Sequence, residues 1–167
     1  ESFPNASNCG YGSSEMPLLS IQEALDRANE IASIVKVIVF PGTYNENLTI
    51  TSNVTMENYY DYSNTNSNGL QFFEITYIQP QDESLPIITI EGTNDNVPAP
   101  TISGFTISHG QAVKGAGIFI KNAAPALSWM SIVRNSSLEN GGGIYIESSN
   151  VSLNHVLIAE NVAGSAG

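Results

Sequence analysis

Basic residues are scarce: the 167-residue chain has five Lys and Arg against sixteen Asp and Glu, for a formal net charge of −11. A nucleic-acid duplex or an anionic membrane surface would repel it, so no nucleic-acid partner is expected. Cysteine occurs once, at Cys9, so no internal disulfide can form. No apolar run approaches the roughly 18 residues of a membrane-crossing helix, and membrane insertion is not expected. Charged residues of both signs make up only 13% of the chain, with Asn, Ser, Thr and Gly supplying the polarity instead. That balance suits short strands joined by polar turns better than a bundle of helices.

What is present is a repeat. Gly115-Ala116-Gly117-Ile118-Phe119-Ile120 is answered further on by Gly141-Gly142-Gly143-Ile144-Tyr145-Ile146. Leu127-Ser128-Trp129-Met130-Ser131-Ile132 returns at the same interval as Leu153-Asn154-His155-Val156-Leu157-Ile158, and Ile102–Ile107 is an earlier copy at nearly that interval. A fixed period of this size predicts units that bury their apolar faces by stacking on one another. Three short apolar pieces per unit predict three strands, so the expected fold is an all-β right-handed parallel β-helix, a solenoid with about 26 residues per coil.

Upstream, residues 1–17 read as an irregular arm and 18–167 as one domain. Ser20 and Glu23 have the spacing of a capping box, and Ile21, Ala24, Leu25, Ala28, Ile31 and Ala32 recur at helical spacing. They predict an α-helix over 21–34 that covers the first coil's open edge. Strands are expected at Val37–Phe40, Leu48–Ile50, Val54–Met56, Leu70–Ile78 and Ile87–Ile90, with a protruding loop over 57–69.

The runs Ser20–Leu25, Val37–Tyr44 and Glu46–Ile50 together resemble the opening of pectin-lyase-like right-handed β-helix proteins. The Gly-Gly-Gly-Ile-Tyr-Ile unit with Asn161 resembles repeats of large secreted or surface proteins of that superfamily, akin to polymorphic outer-membrane proteins. The resemblance implies the fold and a secreted or cell-surface setting, and leaves activity open, because this fold hosts many functions.

Residues one period apart should lie about 4.8 Å apart, one above another. Ile118/Ile144, Ile120/Ile146, Leu127/Leu153 and Ile107/Ile132/Ile158 are then expected interior columns. Asn135 and Asn161 form an expected amide ladder, and Gly117 and Gly143 belong to tight corners where special angles or close approach are needed. Phe119 and Tyr145 point outward as an aromatic pair that could stack on sugar rings, with Trp129 and His155 as a second candidate column for carbohydrate. His109, Arg134 and Glu160 share a third column. Polysaccharide lyases of the superfamily use basic residues, commonly with calcium held by several carboxylates, and Arg134 could hold a uronate there while a neighbour moves a proton. Here the carboxylates are dispersed, and a surface ion pair is the expected reading. No metal site or cofactor is expected; calcium near Asp82-Glu83 or Asp95 is the one candidate.

Five Asn-x-Ser/Thr sequons occur, at Asn5, Asn47, Asn53, Asn135 and Asn150. The polar start at Glu1 reads as that of a mature or trimmed product. The chain stops near where a third glycine-rich start would fall, so an open last coil, covered by further chain or another molecule, is expected. The functional expectation is a non-catalytic structural or adhesive module of a secreted or cell-surface protein, with self-assembly through that coil as one form of it. The alternatives are a carbohydrate-binding module, or a lyase, hydrolase or epimerase acting on uronate-containing glycans.

Overall fold

A computed structural model describes residues 16–30, 36–59, 76–93 and 95–165. Cys9, most of the expected N-terminal arm, residues 31–34 of the expected helix, and 60–75 of the expected loop and strand lie outside these. From the N-terminus come α1 (Ile21–Glu30), β1 (Lys36–Val39), β2 (Gly42–Asn45), β3 (Leu48–Ile50), β4 (Thr55–Asn58), β5 (Thr76–Gln79) and β6 (Ile88–Glu91). They are followed by β7 (Thr101–Ser103), β8 (Thr106–Ser108), β9 (Gln111–Ala112), β10 (Ile118–Lys121) and β11 (Ala126–Val133). Last are β12 (Ser136–Ser137), β13 (Ile144–Glu147), β14 (Ser152–Ala159) and β15 (Val162–Ala163). No helix among the described residues is long and apolar enough to cross a membrane.

The strands form three sheets. One has eight strands in the order β1-β4-β7-β11-β8-β5-β2, with β14 also paired to β11. The second is β13-β10-β6-β3 and the third β15-β12-β9. All neighbouring strands run parallel.

This corrects the expected fold class. The uniform all-β parallel β-helix with one fixed period per coil is not what the chain builds; the arrangement is mixed α/β, with separate parallel sheets and, among the described residues, one helix. The interval between paired strands varies widely. Lys36 lies beside Thr55 and Thr55 beside Thr101, so the second step along the chain is more than twice the first. Leu48 pairs with Ile88 and Ile88 with Ile118, again by unequal steps. The regular step read from the sequence holds for Ile118 with Ile144 and for β11 with β14. The connections set these intervals, and they differ in length upstream of β10.

Packing follows the period-two alternation of strands. Val37 and Val39 point inward while Ile38 is exposed, and Leu48, Ile50, Ile88, Ile90, Ile118 and Ile120 are buried from successive strands of the second sheet. The core they form with Ile21, Leu25 and Ala28 of α1 is continuous.

Helix α1 starts differently from the expected capping box. Ser20 Oγ accepts the Glu23 N–H at 3.3 Å, but the Glu23 carboxylate turns to Arg27 at 2.9 Å. The capping carboxylate is Glu46, between β2 and β3. It accepts the N–H groups of Ile21 (2.8 Å) and Gln22 (2.9 Å) and the Ser20 hydroxyl (2.8 Å). A carboxylate there satisfies orphan donors and complements the helix dipole. Gln22 ties the helix to the second sheet: its Oε1 accepts the Thr49 N–H at 2.8 Å and its Nε2 donates to the Thr49 carbonyl at 3.2 Å. The side-chain amide thus occupies the outer edge of β3 as a neighbouring strand would.

Candidate functional site

The outward face of the second sheet carries a column that the pairing fixes as Thr49, Thr89, Phe119 and Tyr145. The Phe119 and Tyr145 rings stack with centroids 5.5 Å apart and planes 16° from parallel. Lys114 Nζ lies 5.6 Å from the Tyr145 centroid, within cation–π range, and 3.3 Å from Glu139 Oε2. Hydrogen bonding and the charge of Glu139 raise the Lys114 pKa above its ordinary value. A groove of about 480 Å³ opens beside this pair, lined by Ser84, Pro86, Thr89, Val113, Lys114, Phe119 and Glu139. Its lining combines the apolar Pro86, Val113 and Phe119 with the polar or charged Ser84, Thr89, Lys114 and Glu139, a composition suited to a polar ring held by stacking and hydrogen bonds.

Trp129 and His155 also come together, their rings 4.0 Å apart and 15° from parallel. Both have positive φ, 52° and 54°, and Gly104 one layer below has 91°. The three therefore form a left-handed bend repeated from layer to layer. A backbone conformation shared down a stack belongs to the corner rather than to one reactive residue.

His109, Arg134 and Glu160 occupy a second such corner, with φ of 67°, 56° and 56°. Arg134 Nε donates to Glu160 Oε2 at 2.7 Å, and both side chains are more than half exposed. His109 turns away, its Nδ1 lying 3.0 Å from Ser108 Oγ and 3.4 Å from Gln79 Nε2. The guanidinium is already held by a carboxylate, and the imidazole is engaged elsewhere.

The amide ladder forms. Asn135 is fully buried, its Oδ1 accepting the Gly110 N–H at 2.8 Å and its Nδ2 donating to the Ile107 carbonyl at 3.1 Å. Asn161 repeats the arrangement one layer on: its Oδ1 accepts the Asn135 N–H at 2.9 Å, and its Nδ2 donates to the Ile132 carbonyl at 2.7 Å. Gly117 and Gly143 are needed for space rather than angle. A Cβ on Gly117 would stand 2.4 Å from the Gly143 carbonyl oxygen, and one on Gly143 2.8 Å from Asn161 Nδ2. The positive φ values fall on Gly115 (58°) and Gly141 (66°).

Asn47, in the sequence only a sequon, organises the loop beside the groove. Its Nδ2 donates to the carbonyls of Asp82, Leu85 and Pro86, while its Oδ1 accepts the N–H groups of Gln81 and Asp82. Nothing in the local sequence signals contacts made so far along the chain. A glycan on Asn47 or Asn135 would break these bonds, whereas Asn150 is exposed. Asp82 turns inward on its own loop, and the Ser84 hydroxyl and N–H hold its carboxyl below the usual range. Among the described residues, no group of three or more His, Cys, Asp or Glu is gathered to hold a metal ion.

The expected interior columns form in the expected register; Ile144 packs partly buried against the core, but the last members of the other three are exposed. Ile120, Leu127 and Ile132 are at most 1% exposed; Ile146, Leu153 and Ile158, directly beside them, are 46–47% exposed. Leu157 and Val162 are exposed too. Strands β13, β14 and β15 thus form one apolar edge with no strand beyond them among the described residues.

Comparison with protein-family models, curated proteins and solved structures gave no match.

Proposed function

We propose that this chain is a non-catalytic structural module of a secreted or cell-surface protein that joins further polypeptide by strand addition along β13, β14 and β15. The carrying observation is the break in burial within single columns, from 1% exposure at Leu127 to 46% at Leu153. Aliphatic side chains on an unpaired parallel edge favour a strand that supplies both backbone partners and apolar cover. Fully burying each such side chain contributes about 1.5–3 kcal/mol, offset in part by the ordering of the added segment.

A synthetic peptide of residues 114–135 tests this, because those residues already lie against 140–161 from the other side. The peptide is expected to slow hydrogen exchange at the β14 amides, and Leu153→Asp with Ile158→Asp to weaken its binding at least about tenfold. The melting temperature of that variant should change little, since both sites are half exposed. Unchanged β14 exchange at roughly millimolar peptide, an affinity of only about −4 kcal/mol, would remove the proposal.

The groove at Phe119 supports a second reading, a contact with a saccharide. Tyr145→Ala is then expected to weaken retention on immobilised polysaccharide several-fold, through loss of the ring pair and of the Lys114 contact. Retention equal to that of the unaltered chain across a panel of neutral and acidic glycans would eliminate it.

A further inference from the structure

The open edge is apolar, but its flanks carry charge of one sign. Glu147 ends β13 and Glu160 follows β14. Each meets a cation only on the inner side: Lys121 Nζ lies 3.2 Å from Glu147 Oε1, and Arg134 Nε 2.7 Å from Glu160 Oε2. Hydrogen bonding from Lys121, and then its charge, hold the Glu147 carboxyl below the ordinary range. Down the second sheet the register reads Glu91, Lys121, Glu147. Opposite signs in neighbouring strands attract and like signs repel, so the next strand outward favours a cation at that position.

A second copy of this chain cannot readily supply one. It has five basic residues, and all five are already paired: Arg27 with Glu23, Lys36 with Glu57, Lys114 with Glu139, Lys121 with Glu147 and Arg134 with Glu160. Two copies meeting edge to edge would bring the same two carboxylates toward each other, each chain at a formal −11. The opposite end of the second sheet, at β3, is occupied by Gln22.

We propose that the occupant of the β13–β14 edge is a basic polypeptide segment, with aliphatic residues alternating along its strands and Lys or Arg opposite Glu147 and Glu160. This rests on the edge being a docking surface. The aliphatic residues cover Ile146, Leu153 and Ile158, and the two cations set the register, because a slip by one residue would place apolar side chains against the carboxylates.

The test compares the 114–135 peptide, which carries Lys121 and Arg134 in the required register, with the same peptide bearing Lys121→Glu and Arg134→Glu. The basic peptide is expected to bind about tenfold tighter at low salt, with the difference shrinking at roughly 0.5 M salt. Glu147→Lys with Glu160→Lys in the protein should reverse the preference. Equal binding of both peptides would overturn the basic partner and leave the docking edge standing. Binding of neither would overturn the docking edge itself. Concentration-dependent dimerisation that excludes the basic peptide would identify a second copy as the occupant, and would also overturn the proposal.

Discussion

Replacing Asn135 with alanine is expected to destabilise the fold by about 3–5 kcal/mol, read from urea or thermal unfolding. The side chain is fully buried and serves three partners: it accepts from Gly110 and donates to the Ile107 carbonyl and to Asn161 Oδ1. Removing it strands a backbone donor and a backbone acceptor away from water, each costing about 1–3 kcal/mol, and leaves a small cavity. In a chain of this size the shift in melting temperature is on the order of 10 °C. Asn161→Ala makes the internal comparison. It holds an equivalent position but is only half-buried, so water can replace much of what it provides, and a loss of about 1 kcal/mol is expected. Equal losses at the two sites would show that burial does not set the cost.

The second large effect is expected at Phe105, which is fully buried at the bend between β7 and β8. Its carbonyl accepts the Ser131 N–H at 2.9 Å, which places its side chain in one column with Met130 and Val156. Phe105→Ala should cost about 3–5 kcal/mol, from lost apolar burial and from a cavity that fixed backbone layers on both sides cannot close. Ile158→Ala, a deletion in the same sheet at a residue 47% exposed, should cost about 1 kcal/mol or less. The contrast maps where the packed core stops, and comparable values would place that boundary beyond β14.

Much of this was legible in the sequence, for a physical reason that also marks where it stopped. From Thr101 onward the connections are nearly constant in length, so partners recur at an almost fixed interval and the columns Ile107/Ile132/Ile158 and Asn135/Asn161 can be read directly. Upstream, the same kind of pairing joins Leu48 to Ile88, but the long and unequal connections there leave no period to detect. The period is local to the residues from Thr101 onward, and the uniform β-helix it predicts for the whole chain does not form. The aromatic pairs were visible because stacking along a column needs only register. Glu46 and Gln22 were not, because each acts through one side chain on backbone groups far along the chain, with no repeat to betray it. Exposure departs from expectation at the ends of columns, at Ile146, Leu153 and Ile158. A sequence states which way a side chain points, whereas exposure depends on what lies beyond it.

The way Gln22 sits on Thr49 bears on valency. Its amide presents one acceptor and one donor to β3, so the groups an incoming strand would seek there are already matched. With the β3 end matched by Gln22, strand addition of the proposed kind to the second sheet has one direction, outward from β13. A heterologous contact propagates only if every copy offers both a donor face and an acceptor face. In the second sheet only the β13 end would offer such a face, so under the proposed docking that sheet would take one added strand and would not extend from β3.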